Sequence, residues 1–168
     1  MKYAVIYQSK SGNTQYLAEQ IYRALDTDTK EIIDIDKTSI ILEADVYLIG
    51  FGVHNGFCSI DILNVFEQIT DGKIAVFATS GYMPTDQYKN NLEKQIEVWL
   101  PDDVQYLGMF LCQGNVESDR RKIMISHMPN REKELQQMFK IGSTHPDQED
   151  LDVAIVFAEK IQADAERD

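Results

Sequence analysis

The 168-residue sequence predicts an α/β domain in which a doubly wound, five-stranded parallel sheet is held between layers of helices. Short apolar runs rich in β-formers alternate with stretches of helical periodicity, the pattern of repeated βα units. Those runs are apolar at successive positions rather than alternate ones, which suits strands covered on both faces, as parallel strands are. Length agrees as well, because a chain of this size makes one ordinary domain and needs no staples to bury a core. Residues 1–168 are accordingly read as a single domain, with no repeat and no low-complexity tract.

Tyr3-Ala4-Val5-Ile6-Tyr7 is the first strand, and Ser9 to Thr14 is a compact cluster of loop and cap residues. Leu17, Ile21 and Leu25 then set one apolar stripe on a helix from about Asn13 to Leu25. Glu31-Ile32-Ile33-Asp34-Ile35 is the second strand. After a connection around Asp36 to Glu43, Asp45-Val46-Tyr47-Leu48-Ile49-Gly50 is the third, closed by the glycine-rich stretch from Gly50 to Gly56. Ile62, Phe66 and Ile69 mark the next helix, ended by Gly72, and Lys73 to Thr79 is the fourth strand. Leu92, Ile96 and Trp99 mark a helix to about Leu100, stopped by Pro101, before a fifth strand from about Val104 to Cys112.

The segment Asn115 to Ser143 breaks this rhythm. It is charged, carries Met124, Met128, Met138 and Phe139, and is predicted to form one or two helices inserted between strand five and the last helix. That last helix is announced by Thr144-His145-Pro146-Asp147, with Pro146 at the first helical position and Asp147, Glu149 and Asp150 in the first turn. It runs to about Ala165 on a stripe of Leu151, Ala154, Ile155, Ala158 and Ile161.

The net charge of −12, from 28 acidic and 16 basic residues, repels nucleic acid and anionic membrane surfaces alike. No apolar run approaches the ~20 residues of a membrane-spanning helix, and Met1-Lys2 leads straight into a short apolar segment unlike a signal peptide. Cys58 and Cys112 are far apart and fit neither a disulfide framework nor a paired metal site. A soluble cytoplasmic protein is expected, with no nucleic-acid partner, no membrane partner and no metal. Its acidic surface can steer encounters with a partner that carries a basic docking face.

Ser9-Lys10-Ser11-Gly12-Asn13-Thr14 carries the most chemistry, because it sits between the first strand and the first helix. A helix start offers unpaired N–H groups and the positive end of the macrodipole, glycine lets the backbone curl around an anion, and three hydroxyls add donors. Ser11 or Asn13 capping the helix is the simpler alternative. Position after strand one, with a second glycine-rich loop after strand three, favours a phosphate site. No GxGxxG or GxxxxGK[ST] run is present to bind a dinucleotide or triphosphate. A receiver domain needs acidic residues where strand one ends in Tyr7-Gln8, and a small tyrosine phosphatase needs a cysteine in the first loop; both are missing.

Strand, [ST]-x-[ST]-G-[NT]-T, helix is the FMN phosphate signature of flavodoxins, and the chain resembles that family over nearly its whole length. It looks most similar to a subgroup marked by Phe110-Leu111-Cys112-Gln113-Gly114 and His145-Pro146-x-x-Glu149-Asp150-Leu151. The resemblance implies a flavodoxin-like sheet of order 2-1-3-4-5 with FMN at its carboxyl edge. The phosphate would lie on Ser9, Lys10, Ser11, Gly12, Asn13 and Thr14. The isoalloxazine would lie between Gly52, Val53, His54, Asn55 and Gly56 of one loop and Thr79, Ser80, Gly81 and Tyr82 of another, with Gln113 and Gly114 at the same edge. Tyr82 is the stacking partner the pattern implies.

The first loop departs from the family, since Gly52 stands where an aromatic residue is expected and leaves His54, Phe57, a partner or a substrate to face the ring. The resemblance also implies that the Asn55–Gly56 peptide turns its carbonyl toward flavin N5 on reduction. The function implied is an electron-transfer protein working between a reductase and an acceptor enzyme. The alternative is an FMN-dependent NAD(P)H oxidoreductase acting on quinones, nitro compounds or another small molecule. Neither cysteine is read as catalytic, and His127 and His145 lie outside the ring loops.

Overall fold

The first strand explains the architecture, because every residue of β1 (Tyr3–Tyr7) is buried. It lies inside the sheet, between β2 (Lys30–Asp34) and β3 (Val46–Gly52), and its odd and even side chains face different cores. The computed structural model describes residues 1–39 and 43–167; residues 40–42, within the connection expected over 36–43, and residue 168 lie outside the described residues. Among the described residues β4 (Gly72–Ser80) and β5 (Val104–Gln113) complete a five-stranded, all-parallel sheet of order β2-β1-β3-β4-β5. This is the predicted order.

Tyr3, Val5 and Tyr7 point to the layer formed by α1 (Asn13–Ala24) and α6 (Gln148–Ala165), where Leu17, Ile21, Leu151 and Ile161 meet them. Ala4 and Ile6 point to the opposite layer, where Ile62 and Phe66 of α2 (Ile60–Gln68) and Leu92 and Ile96 of α3 (Asp86–Glu97) close the second core. Burying one such Leu, Ile or Phe side chain stabilises the fold by about 1.5–3 kcal/mol relative to exposure. Packed stripes therefore hold these short helices in place more than intrinsic propensity does. β2 is a less covered edge strand, with Ile32 exposed and Ile33 buried.

Three local expectations are corrected. Trp99 lies outside α3 and is half exposed, because the helix ends at Glu97 and the chain then turns through Val98 to Leu100. Gly72 opens β4 and does not end α2, whose last residue is Gln68. Pro146 precedes the cap of α6 instead of starting the helix. Asp147 accepts the Asp150 N–H at 3.1 Å, Asp150 accepts the Asp147 N–H at 2.9 Å, and this reciprocal capping box fixes the start.

The inserted segment forms α4 (Ser118–His127), a 3₁₀ turn over Pro129–Arg131 and α5 (Glu132–Gly142). Val116, Leu135 and Phe139 make a small separate core for it, with Met124, Met128 and Met138 packed against them. The insertion thus has a cluster of its own at the carboxyl end of the sheet, where β5 delivers it.

Gly50 in β3 pairs with Phe77 in β4, and a Cβ at residue 50 would run into the Phe77 ring. Gly50→Ala should therefore cost about 1–3 kcal/mol, as overpacked cores do, measured by urea unfolding. Adding Phe77→Leu should recover part of that loss. Simple addition of the two single-variant losses would count against the contact.

Candidate functional site

Parallel strands bring the exits of β1, β3, β4 and β5 to one edge, and the start of α1 there has neither a side-chain cap nor, unlike the equally uncapped α4, an acidic residue in its first turn. Gly12 is its N-cap, at φ 91°, with no side-chain cap and no acidic residue in the first turn. Ser59, Thr85 and Asp147 do cap α2, α3 and α6. The capping alternative for Ser11 and Asn13 is thereby removed. Ser9 Oγ instead accepts the Gly12 N–H at 3.1 Å, and Asn13 Nδ2 donates to the Asn115 carbonyl at 2.9 Å. Helix dipole and first-turn amides stay available to a ligand.

A cavity of 210 Å³ opens beside this helix start. Lys10, Ser11, Asn13 and Thr14 form one wall, with Gly52, Val53 and His54 from the β3 exit and Thr79, Ser80, Gly81 and Gly114 from the β4 and β5 exits. The Thr14 and Thr79 hydroxyls are buried 3.0 Å apart, so the first and fourth elements of the sheet edge meet here. A second cavity of 590 Å³ adjoins it through Val53, Ser80 and Gly81, and adds Asn55, Gly56 and Tyr82. Ligand sites for small molecules occupy about 300–1,000 Å³, the size of this joined space.

Three predicted residues, Ser9, Gly12 and Gln113, line neither cavity. Ser9 and Gly12 shape the corner. Gln113 donates from its amide to the carbonyls of Gly81 at 3.0 Å and Met138 at 3.4 Å, so it ties the β4 loop to α5. Lys10 reaches the rim, where its ammonium pairs with Asp36 at 3.4 Å in solvent.

His54 to Phe57 is a two-residue turn closed by the His54 N–H to the Phe57 carbonyl at 2.9 Å and the reverse bond at 3.1 Å. Its central residues have φ 51° at Asn55 and φ 80° at Gly56, the paired positive values for which Asn-Gly is suited. The His54 ring folds back toward Gly52, with Nε2 only 3.7 Å from where a Cβ of residue 52 would lie. Of the neighbours considered for Gly52, His54 is the one beside it, while Phe57 packs toward the α2–α3 core. On the other side Tyr82 meets Tyr88 edge to face, ring centres 6.4 Å apart. Ser80 Oγ holds both, accepting the Tyr82 N–H at 3.1 Å and lying 3.0 Å from the Tyr88 hydroxyl.

Sequence reading missed the residues that the insertion adds. Asn115, Val116, Glu117 and Arg120 line the smaller cavity, and Val116 and Arg120 also line the larger one. The Arg120 guanidinium meets Nδ1 of His54 across the opening. No spacing signal links residues so far apart. Gln8 and Ser59 were missed too: the buried Gln8 amide donates to Asp36 at 2.8 Å and Asp61 at 3.2 Å and accepts from Ser59 at 2.6 Å, pinning three loops under the cavity. Burial pushes the Cys58 thiol up to about 11 and raises Cys112 further, which leaves neither as a ready nucleophile.

The chain matches the model of the flavodoxin domain family over residues 4–159. It is 31% identical over 173 aligned residues to the flavodoxin-like domain-containing protein BilS of Clostridioides difficile strain CD3, with 98% of each chain covered. Among solved structures, it resembles a short-chain flavodoxin associated with a non-canonical PDU bacterial microcompartment, at 14% identity and TM-score 0.63 over 98% of this chain and 99% of that one. It also resembles a flavoprotein in complex with FMN from Lactobacillus acidophilus NCFM, at 21% identity and TM-score 0.51 over 66% of this chain and 92% of that one. These structures share the fold.

The Gln8 amide, with Lys10 beside it, holds the Asp36 carboxyl below its ordinary value of 3.8. Stability from this bond is present above that value and lost as pH falls through the lower folded one. Gln8→Ala should destabilise the protein at pH 7 by about 1 kcal/mol, toward the low end for bonds to charged groups because Asp36 is solvated. The gap from wild type should narrow as unfolding is followed from pH 6 down to about pH 3; a gap that stays constant would assign the loss to something other than this carboxylate.

Proposed function

The chain belongs to the flavodoxin domain family, and from that premise we propose that it binds FMN and passes electrons between a reductase and an acceptor enzyme. One observation carries this reading: an uncapped helix start opens onto two joined cavities at the carboxyl edge of the sheet. FMN, when bound, supplies the redox chemistry at its ring. Binding and placement are the protein's share.

The start of α1, with the hydroxyls of Ser11 and Thr14, seats the phosphate, and Thr79 orients the Thr14 hydroxyl. Ser9 and Gly12 set the curl of that loop, and Asn13 and Gly114 close its side. Val53, Asn55 and Gly56 border the ring from the β3 exit, and Gly81 and Tyr82 from the β4 exit. Tyr82 and His54 are the side chains for its two faces. A net charge of −12 opposes the addition of negative charge to the ring and so favours donation from the reduced protein. The same charge steers a partner that carries a basic docking face. Among the described residues no helix is long and apolar enough to cross a membrane, and both cysteines are free thiols, which suits a reducing compartment such as the cytoplasm.

An FMN-dependent NAD(P)H oxidoreductase is the second reading. It draws on a hollow of 530 Å³ beyond Tyr82, walled by Tyr88, Met83, Met138 and Ile141, where a small apolar substrate would fit. The carrier is preferred because the His54 ring stands beside Gly52, the side a nicotinamide would need.

Titration of the purified protein with FMN should quench flavin fluorescence and raise the unfolding temperature, and FAD should do neither. Failure of both signals with FMN overturns the reading. Thr14→Val should weaken FMN about tenfold, the roughly 1.4 kcal/mol of one lost hydrogen bond. The loaded protein should oxidise NADPH only when a separate reductase is added; rapid direct oxidation would move the assignment to the oxidoreductase.

A further inference from the structure

We propose that Arg120, brought in by the inserted segment, is the cation that holds the phosphate end of the bound cofactor, with His54 as its positioning residue. The proposal rests on the FMN-binding reading. It assigns a role to a part of the chain that the phosphate turn does not include.

Two positively charged side chains line the smaller cavity, Lys10 and Arg120. Lys10 is exposed and paired with Asp36. Arg120 makes no ion pair among the described residues, and its contact is the imidazole of His54. Burial lowers its pKa from the ordinary arginine value, but a guanidinium stays protonated at any pH the fold tolerates. A partly desolvated cation facing a cavity without a carboxylate partner is a strong anion ligand. Glu117 lines the same cavity from the N-cap of α4; it is exposed, so solvent weakens its repulsion of an anion without removing it, and the guanidinium must outweigh it.

The adjacent arginine shows that the segment separates two tasks. Arg121 donates to the Val116 carbonyl at 2.5 Å and to Asn115 Oδ1 at 2.6 Å, and its guanidinium lies 5.5 Å over the Phe139 ring. Those contacts build the insertion. Arg120 makes none of those contacts; it lines the cavity that Ser11, Asn13 and Thr14, the donors at the helix start, also line, and it borders the larger cavity as well. His54 accepts from it through Nδ1, which requires the ring proton to sit on Nε2, the nitrogen turned toward Gly52. One imidazole engages one of the five guanidinium N–H donors, and the rest remain for an anion.

The phosphate is the end that this charge serves. An FMN phosphate carries about −1.5 to −2 at neutral pH, whereas the oxidised ring is neutral. Arg120 lines both cavities, and the smaller is the one it shares with Ser11, Asn13 and Thr14 at the start of α1. α4 buries none of its residues fully and packs on the small core through partly buried side chains such as Met124 and Ile125, so a phosphate contact at Arg120 adds to a light attachment.

Wild type and Arg120→Gln are each titrated with FMN and with riboflavin, which has the same ring and no phosphate, at low and high salt. Arg120→Gln should weaken FMN about 10- to 100-fold, the worth of one charge-assisted contact, and change riboflavin by no more than about twofold. It should also flatten the salt dependence of FMN binding, and Arg120→Lys should restore part of the affinity. His54→Phe, which keeps an aromatic ring beside the flavin, should weaken FMN by a smaller factor than Arg120→Gln does and weaken FMN more than riboflavin. Unfolding temperatures of the flavin-free variants identify any that fail to fold, and Arg120→Lys then carries the comparison. Equal loss of both flavins, or no loss of FMN, overturns the proposal while the FMN-binding reading stands. Wild type that takes up neither flavin overturns both.

Discussion

A parallel sheet delivers all of its carboxyl ends to one edge, and every feature of the candidate site depends on that constraint. β1 and β3 are neighbours, but the helices that follow them leave in opposite directions: α1 joins α6 on one face, and α2 joins α3 on the other. A crevice opens where the chain divides, with the start of α1 on one lip and the exit of β3 on the other. Thr14 and Thr79 meet at its floor, their hydroxyls 3.0 Å apart beside Gly52.

The sheet and the phosphate turn were legible for the same physical reason. Strands buried on both faces must be apolar at every position, so the β1 run could be read to the residue and β3 and β4 to within a residue or two. Errors came where one residue type serves several ends. Trp99 continues the spacing of Leu92 and Ile96, yet the helix had already stopped. Pro146 suits a first helical position, but Asp147 and Asp150 cap each other and set the start later. Arg120 and His54 were unreadable in a different sense. They meet only because the insertion folds back over the edge, and the helical spacing of Leu135, Met138 and Phe139 announces a helix without saying where it docks.

The second subgroup motif, from His145 to Leu151, acquires a structural purpose. His145 Nδ1 lies 2.6 Å from Asp150 Oδ2, the same oxygen that receives the Asp147 N–H. The His145 carbonyl accepts the Asn115 N–H at 2.8 Å, and the Asn115 carbonyl accepts Nδ2 of Asn13 at 2.9 Å. A line of hydrogen bonds thus runs from the start of α6 through the exit of β5 to the start of α1. His145, Asp147 and Asp150 lie close enough to suggest a metal site, but capping accounts for their arrangement, with each group already engaged by a neighbour. The motif braces the corner without lining either of the two joined cavities.

An acidic protein that seats a phosphate poses an electrostatic question, and distance resolves it. At physiological salt the screening length is about 8 Å, so most of the surface carboxylates that make up the charge of −12 act weakly at the helix start. Near groups decide the local field instead: the positive end of α1, with no carboxylate in its first turn, and a guanidinium across the opening, set against the exposed Glu117. Beyond the opening the balance reverses, since the summed acidic charge reaches an approaching partner before any single contact forms. One chain can therefore attract an anionic ligand over a few ångströms and a basic surface over a longer range, with the change of sign falling at the rim, where Lys10 pairs with Asp36 and Arg120 meets His54.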